Sequence, residues 1–174
     1  MIVQGSVWVF GDDVNTDVIY PNQLSHKATG AFTKAERRTL AFSGIRPGWS
    51  ETVSEGELIV AGRNFGTGSG RPAPVLIREI GIAGVVAESI NGLFFRNCIN
   101  AGLPALACEG ITKHVAEGDN ISIDFSAGKV INTSTGDELS CLGLPPEMLA
   151  ILDAGGLYQE LAAKGYLDAA AITL

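Results

Sequence analysis

Apolar and polar positions alternate along Ile2–Phe10 ("IVQGSVWVF"), which predicts a strand at the start of the chain. A turn-rich stretch follows, "GDDVNTD". "TKAERRTLAFSG" then reads as a helix, with a Thr33-x-x-Glu36 capping box and a Gly44 stop. "RPGWSETVSEG" reads as a loop and "ELIVAG" as a short buried strand. Pro72 suits the first turn of a helix over "PAPVLIREI" that stops at Gly81. "AGVVAE" is a second apolar strand, "SINGLFFRNCINAG" a helix with Ser89 as N-cap and Gly102 as terminator, and "LPALAC" a third strand. This β-loop-α-β-α-β order between residues 57 and 108 predicts parallel strands with right-handed crossovers. "NISIDFSAGKVINTSTGDEL" predicts a β-hairpin turning at Ser126–Gly128, and two short helices, "LPPEMLAILDAGG" and "LYQELAAKGYL", close the chain.

The pattern shows no internal repeat and no long linker. The 174 residues are therefore expected to form one α/β domain with added β-structure. With 46% hydrophobic and 18% charged residues the chain is globular. A formal net charge of -7 argues against a nucleic-acid or anionic-membrane surface. No apolar run approaches the ~18–20 residues of a membrane helix. The N-terminus lacks the basic and apolar regions of a signal peptide, so a cytoplasmic location is expected. Cys98, Cys108 and Cys141 form no C-x-x-C pair and their number is odd, so they read as small buried thiols rather than a disulfide framework or a metal site. His26 and His114 have no ligand spacing.

The segment "GRNFGTGSGR" (Gly62–Arg71) concentrates the candidate chemistry. Glycine is costly to order, so four glycines in one loop need a reason. Gly68-x-Gly70-x-x-Ala73 matches a dinucleotide fingerprint, with Glu88 about 20 residues on as the ribose acid. Against that, Gly62–Thr67 separate the glycines from the strand. Alternatively, Gly66, Gly68 and Gly70 shape a turn that exposes backbone N–H groups to an anion. Arg71 then adds a planar fork for a carboxylate, and the Ser69 hydroxyl sits where its ionised form would be favoured. A flexible connection with a surface arginine is the third reading.

The longer motifs bear on this choice. "GDDVNTDVIYP", "GRNFGTGSGR", "GIAGVVAESINGLFFRNCINAGLPAL" and "MLAILDAGGLYQEL" occur in the order and spacing of one family. On these the chain resembles the small subunits of 3-isopropylmalate dehydratase, in the aconitase superfamily. The resemblance implies a swivelling α/β domain like the aconitase C-terminal domain. Its small, mostly parallel sheet has flanking helices, and here an added hairpin. It also implies a large partner subunit carrying a [4Fe–4S] cluster, with no metal on this chain. The implied reaction removes and re-adds water on a dicarboxylate: 3-isopropylmalate/2-isopropylmalate in leucine biosynthesis, or another alkyl-malate such as 2,3-dimethylmalate. A non-catalytic subunit that kept the fold is the alternative of another class. By alignment Ser69 is the base, Arg71 binds substrate carboxylate, and Asp17 orients groups or relays protons. Thr16, Thr67, Gly68 and Gly70 are expected, with Arg71, to bind the substrate. The chain departs from the usual Ser-Ser-Arg-Glu-His-Ala: it has Gly70 in place of the second serine, then Pro72-Ala73-Pro74 after the arginine. Asn22-Gln23-Leu24 replaces an Arg-Tyr-Leu-like element.

Overall fold

β1 (Ile2–Phe10) is the seam between two kinds of sheet. Its first half, Ile2–Ser6, pairs antiparallel with β5, and its second half, Val7–Phe10, pairs parallel with β2. The structure, a computed structural model, describes residues 1–26 and 32–168, without the side chains of residues 25 and 26. The expectation placed on the His26 side chain lies outside the described residues.

After β1 come α1 (Thr16–Ile19), α2 (Asn22–His26), α3 (Lys34–Leu40), α4 (Trp49–Thr52) and β2 (Leu58–Ala61). Then follow α5 (Ala73–Glu79), β3 (Gly84–Ala87), α6 (Gly92–Asn100) and β4 (Ala105–Ala107). A 3-10 turn (Ile111–Lys113) leads into β5 (Asn120–Asp124), β6 (Lys129–Asn132) and β7 (Glu138–Ser140), and α7 (Pro146–Asp153) and α8 (Leu157–Ala163) finish the described chain. The sheet order is β4-β3-β2-β1-β5-β6-β7. The four strands β4 to β1 are parallel to one another and β5, β6 and β7 add antiparallel partners, a mixed α/β fold.

Every residue of β2 and of β3 is buried, as befits parallel strands covered on both faces. Period-two alternation sorts them between two cores. Ile59, Ala61, Val85 and Ala87 join Leu76, Ile77 and Ile80 of α5, Phe94 and Cys98 of α6, and the Phe10–Phe42–Trp49 aromatic cluster. Leu58, Val60 and Val86 join Ile121, Ile123, Phe125, Val130 and Leu152 in the other.

The expected capping box of α3 is present: Thr33 Oγ1 accepts from Glu36 N at 3.2 Å and Glu36 Oε2 accepts from Thr33 N at 2.8 Å. Four local expectations are corrected. "GDDVNTD" leads directly into the one-turn α1, because Asn15 accepts from Val18 N and starts the turn. The expected loop after Gly44 contains α4, whose Trp49 anchors the aromatic cluster. α6 is capped by Asn91, whose side chain accepts from Leu93 N, because Ser89 serves a different loop. The expected hairpin is a three-stranded meander, since β7 pairs with β6.

The cysteine expectation is also corrected. Cys98 is a buried thiol, but Cys108 and Cys141 are joined as a disulfide with Cα atoms 5.2 Å apart. The end of β4 and the end of β7 are brought together by tertiary packing, which no spacing rule encodes.

Candidate active site

Three loops leave the carboxyl ends of adjacent strands β1, β2 and β3 at one edge of the sheet, the edge where open α/β sheets place their ligands. They are stitched to one another. Asp13 N donates to Arg63 O and Gly66 N to Val14 O, both at 2.8 Å, and Asn15 and Thr67 form a parallel bridge. Asp12 Oδ1 accepts from Arg63 N at 2.7 Å, and Asn64 Nδ2 donates to Asp13 Oδ1 at 2.9 Å. On the other side Ser89 Oγ accepts from Asn64 N at 2.9 Å, and Phe65 and Ile90 form a second bridge. The glycine loop is thus fixed on both flanks rather than flexible.

The glycines have distinct tasks. Gly66 stands at φ +76°, and a Cβ there would lie 2.0 Å from the Phe94 ring. Gly68 stands at φ +112°, with Thr16 Oγ1 2.9 Å from where its Cβ would be. Both backbones approach another element as only glycine permits. Gly70 has no positive φ, and only Leu93 Cδ2, at 3.8 Å, lies near its would-be Cβ.

Ser69, Arg71 and Asp17 come together. Buried Thr16 carries the junction: its N–H donates to Thr67 O at 2.8 Å and its hydroxyl to Ser69 O at 3.0 Å. Asp17 lies in the first turn of α1, with Oδ1 2.6 Å from Arg71 Nε. The same Nε faces Ser69 Oγ at 3.2 Å. Arg71 Nη1 reaches Tyr20 O at 3.4 Å and its Nη2 donates to Asn22 Oδ1 at 2.5 Å. Among the described residues the N–H groups of Gly68, Ser69 and Gly70 meet no protein acceptor, and these residues are exposed. The N–H groups of Gly66 and Arg71, by contrast, are used within the fold, by Val14 O and Ser69 O. The turn therefore aims three consecutive backbone donors outward beside a cation, a setting that favours a carboxylate. Gly70, Arg71 and Pro72 also form one rim of a groove that runs past Asn97 and Tyr158.

Glu88, the acid a dinucleotide site would need, is committed elsewhere. It accepts from Gly110 N at 2.6 Å, Thr112 N at 3.0 Å and Thr112 Oγ1 at 2.5 Å. Burial alone would raise its carboxyl. The Thr112 hydroxyl, the N–H groups of Gly110 and Thr112, and the Arg63 charge outweigh that and hold it below its usual range. It anchors the loop after β4 instead of presenting an oxygen to a ribose.

Relatives match across almost the whole chain. The 3-isopropylmalate dehydratase small subunit 1 of Methanopyrus kandleri is 40% identical over 168 residues, covering 94% of this chain and 95% of that protein. This chain belongs to the 3-isopropylmalate dehydratase small-subunit family. A family model of the aconitase C-terminal domain matches residues 27–109. Two further relatives of this small-subunit family bear other names. The isopropylmalate/citramalate isomerase small subunit of Methanocaldococcus jannaschii is 40% identical, covering 94% of this chain and 95% of that protein. The methanogen homoaconitase small subunit of Methanothermobacter thermautotrophicus is 39% identical, covering 90% and 88%. The crystal structure of a 3-isopropylmalate dehydratase from Methanocaldococcus jannaschii superposes with a TM-score of 0.84 at 34% identity, covering 95% of this chain and 96% of that one. The expected swivelling-domain fold is thereby borne out.

Within this family member, sequence reasoning placed Ser69, Arg71, Asp17 and Thr16 in the region where the structure brings them together. It missed the tie from Ser89 to Asn64 and the contact of Asn22 with Arg71. The first had a signal in Ser89 lying directly after a buried strand. The second had only an indirect one, in Asn22-Gln23-Leu24 standing in place of an Arg-Tyr-Leu-like element.

Among the described residues no three His, Cys, Asp or Glu side chains group to hold a metal. Cys98 is enclosed, and burial pushes its thiol well above the usual range. Cys108 and Cys141 are paired with each other. Nor, among the described residues, is any helix long and apolar enough to cross a membrane.

Proposed function

We propose that this chain, as one swivelling domain, is the small subunit of a hydro-lyase that dehydrates and rehydrates a substituted malate, with 3-isopropylmalate as its substrate. The observation that carries the proposal is the Asp17–Arg71–Ser69 contact beside three outward-facing N–H groups. Arg71 grips a substrate carboxylate with its planar fork. Ser69 Oγ takes the proton from the carbon alpha to that carboxylate, while hydroxide leaves the neighbouring carbon and the double bond forms. Rehydration runs the same steps backwards. Arg71 Nε, donating toward Ser69 Oγ, favours the ionised serine that such a base requires. Asp17 holds the guanidinium from the same edge, and the N–H groups of Gly68–Gly70 meet the charge that develops on the carboxylate. Thr16 and Thr67 fix the turn.

The site is open. Asp17 and Ser69 are exposed, and a surface this wet cannot sequester the proton transfer. A second chain must close over it, and the name of the family, a small subunit, fits that need. The cysteines present here do not fit a cluster, so a [4Fe–4S] centre belongs to the large subunit, where it would act as a Lewis acid toward the departing hydroxyl.

The test is to purify the chain with its large subunit and assay 3-isopropylmalate, citramalate and 2,3-dimethylmalate. Turnover of 3-isopropylmalate that Ser69→Ala reduces by at least about 10³-fold is expected. Intact turnover in Ser69→Ala removes the base assignment, and silence on the whole panel favours the non-catalytic subunit. One observation favours another alkyl-malate such as 2,3-dimethylmalate as a second reading. Gly70 brings no hydroxyl to the site and leaves it bordered by the apolar Leu93.

A further inference from the structure

Three contacts to the guanidinium of Arg71 come from one short stretch of chain. Asp17, from α1, takes the Nε edge at 2.6 Å. The Tyr20 carbonyl stands 3.4 Å from Nη1, and Asn22 Oδ1, at the first residue of α2, accepts from Nη2 at 2.5 Å. A planar fork binds a carboxylate through two parallel bonds only when its plane is set in advance. Asp17 fixes the guanidinium at Nε, and Nη2 lies along the same edge, as in the Arg37–Glu79 pair, where Nε and Nη2 meet one carboxylate. An acceptor on Nη2 adds a second point and limits the tilt of the plane. A second carboxylate would serve as that acceptor, but with Asp17 already on Nε it would leave the group net negative toward a dicarboxylate. An asparagine oxygen supplies the acceptor and adds no charge.

We infer that Asn22 is a positioning residue of this site: its amide oxygen helps fix the plane of the Arg71 guanidinium without adding a second negative charge beside Asp17. The inference rests on the reading that Arg71 binds the substrate carboxylate. Asn22 is exposed, so its replacement leaves the core intact. Because Asn22 opens α2, the seating of that helix is transmitted directly to the arginine.

The experiment compares Asn22→Leu, which keeps the size and removes the acceptor, with Asn22→Asp, which keeps the acceptor and adds a charge. Each is assayed with the large subunit on 3-isopropylmalate, and side-chain nitrogen NMR of arginine is recorded on the full chain. N22L is expected to raise KM about tenfold with kcat within about threefold of the parent, and to let the Arg71 Nη signals average. N22D is expected to keep those signals distinct and still raise KM, through charge. A parental KM in N22L, a loss confined to kcat, or unchanged Arg71 signals in N22L each overturns the inference. A parent pair inert toward every substituted malate brings down the functional reading and this inference with it. An active parent pair with an unaffected N22L removes the inference alone.

Discussion

The Asp17 carboxylate lies 2.6 Å from Arg71 Nε, and the two residues reach each other from loops that follow different strands, β1 and β2. Asp17 is 56% exposed and Arg71 17%, so the ion pair is wet on one side. Exposed pairs of this kind add only about 0–1 kcal/mol to stability. Its value is in direction rather than in holding the fold. Arg71→Lys keeps the charge but loses the fork. It is expected to lower kcat/KM by about 30- to 10³-fold, the effect of losing two charge-assisted bonds, while the thermal midpoint moves by no more than about 2 °C. Asp17→Asn should cost about tenfold in kcat/KM with a similarly small shift in melting. Steady-state kinetics and calorimetry on the reconstituted pair check both. An Arg71→Lys enzyme within about threefold of the parent would remove the two-bond grip.

Two glycines of one loop should behave oppositely. Gly66→Ala puts a methyl into the Phe94 ring at a left-handed backbone position and is expected to destabilise the chain by about 2–4 kcal/mol. Phe94→Ala would relieve the clash, so the double variant should be more stable than the sum of the two single losses implies. Gly70→Ser meets only Leu93 Cδ2 at ordinary contact distance, without positive φ. Its stability should stay within about 0.5 kcal/mol of the parent. Because the family resemblance places a serine there, the variant is also expected to raise kcat/KM on 3-isopropylmalate about three- to tenfold. Urea titrations and the same assay decide. A Gly70→Ser chain as damaged as Gly66→Ala would contradict the backbone description.

What the sequence made legible was what local chemistry governs. β1 follows from alternation, the start of α3 from Thr33 and Glu36, and the parallel order of β2, β3 and β4 from apolar runs separated by helices. Arg71 and Ser69 were singled out by the glycine turn together with the family resemblance, and the structure places them beside each other. Contacts made across the fold were not. Ser89 looked like an N-cap because it precedes a helix by a few residues, yet its hydroxyl is taken by Asn64 N from another loop. Glu88 matched a motif spacing while its oxygens were already filled by Gly110 and Thr112. The Cys108–Cys141 pairing depends on β7, which was itself hidden in what read as the tail of a hairpin.

Glu88 gives a pH-dependent prediction. Its carboxyl is held below the ordinary value of 4.5: burial pushes it up, but Thr112, Gly110 and the Arg63 charge prevail. The native chain therefore binds this proton less readily than the unfolded chain. The contribution of Glu88 to stability is full above pH 4.5 and is lost as the pH falls below it, through the native value. Glu88→Gln should thus be less stable than the parent near neutrality, and the difference should shrink steadily on acidification. Urea midpoints of both proteins across the acid range test this. A gap that stays constant with pH would mean that Glu88 acts by shape alone.

The three cysteines should separate by accessibility. Cys98 is fully buried in α6 against the first core, and burial holds its thiol well above the usual range, so little thiolate forms at neutral pH. Cys108 and Cys141 are joined, Cys141 beside the exposed Leu142. A thiol-alkylating reagent should therefore modify nothing in the folded, oxidised chain. Mild reduction should release Cys141 for labelling, while Cys98 and the buried Cys108 react only in denaturant. Mass spectrometry of digests assigns each site. Joining residues 33 positions apart, the bond also restricts the unfolded chain, by about 3–4 kcal/mol on chain-entropy grounds. Reduction or a Cys108→Ser/Cys141→Ser double variant should accordingly lower the thermal midpoint by several degrees. Labelling of Cys141 without reductant in a chain purified under air would refute the pairing.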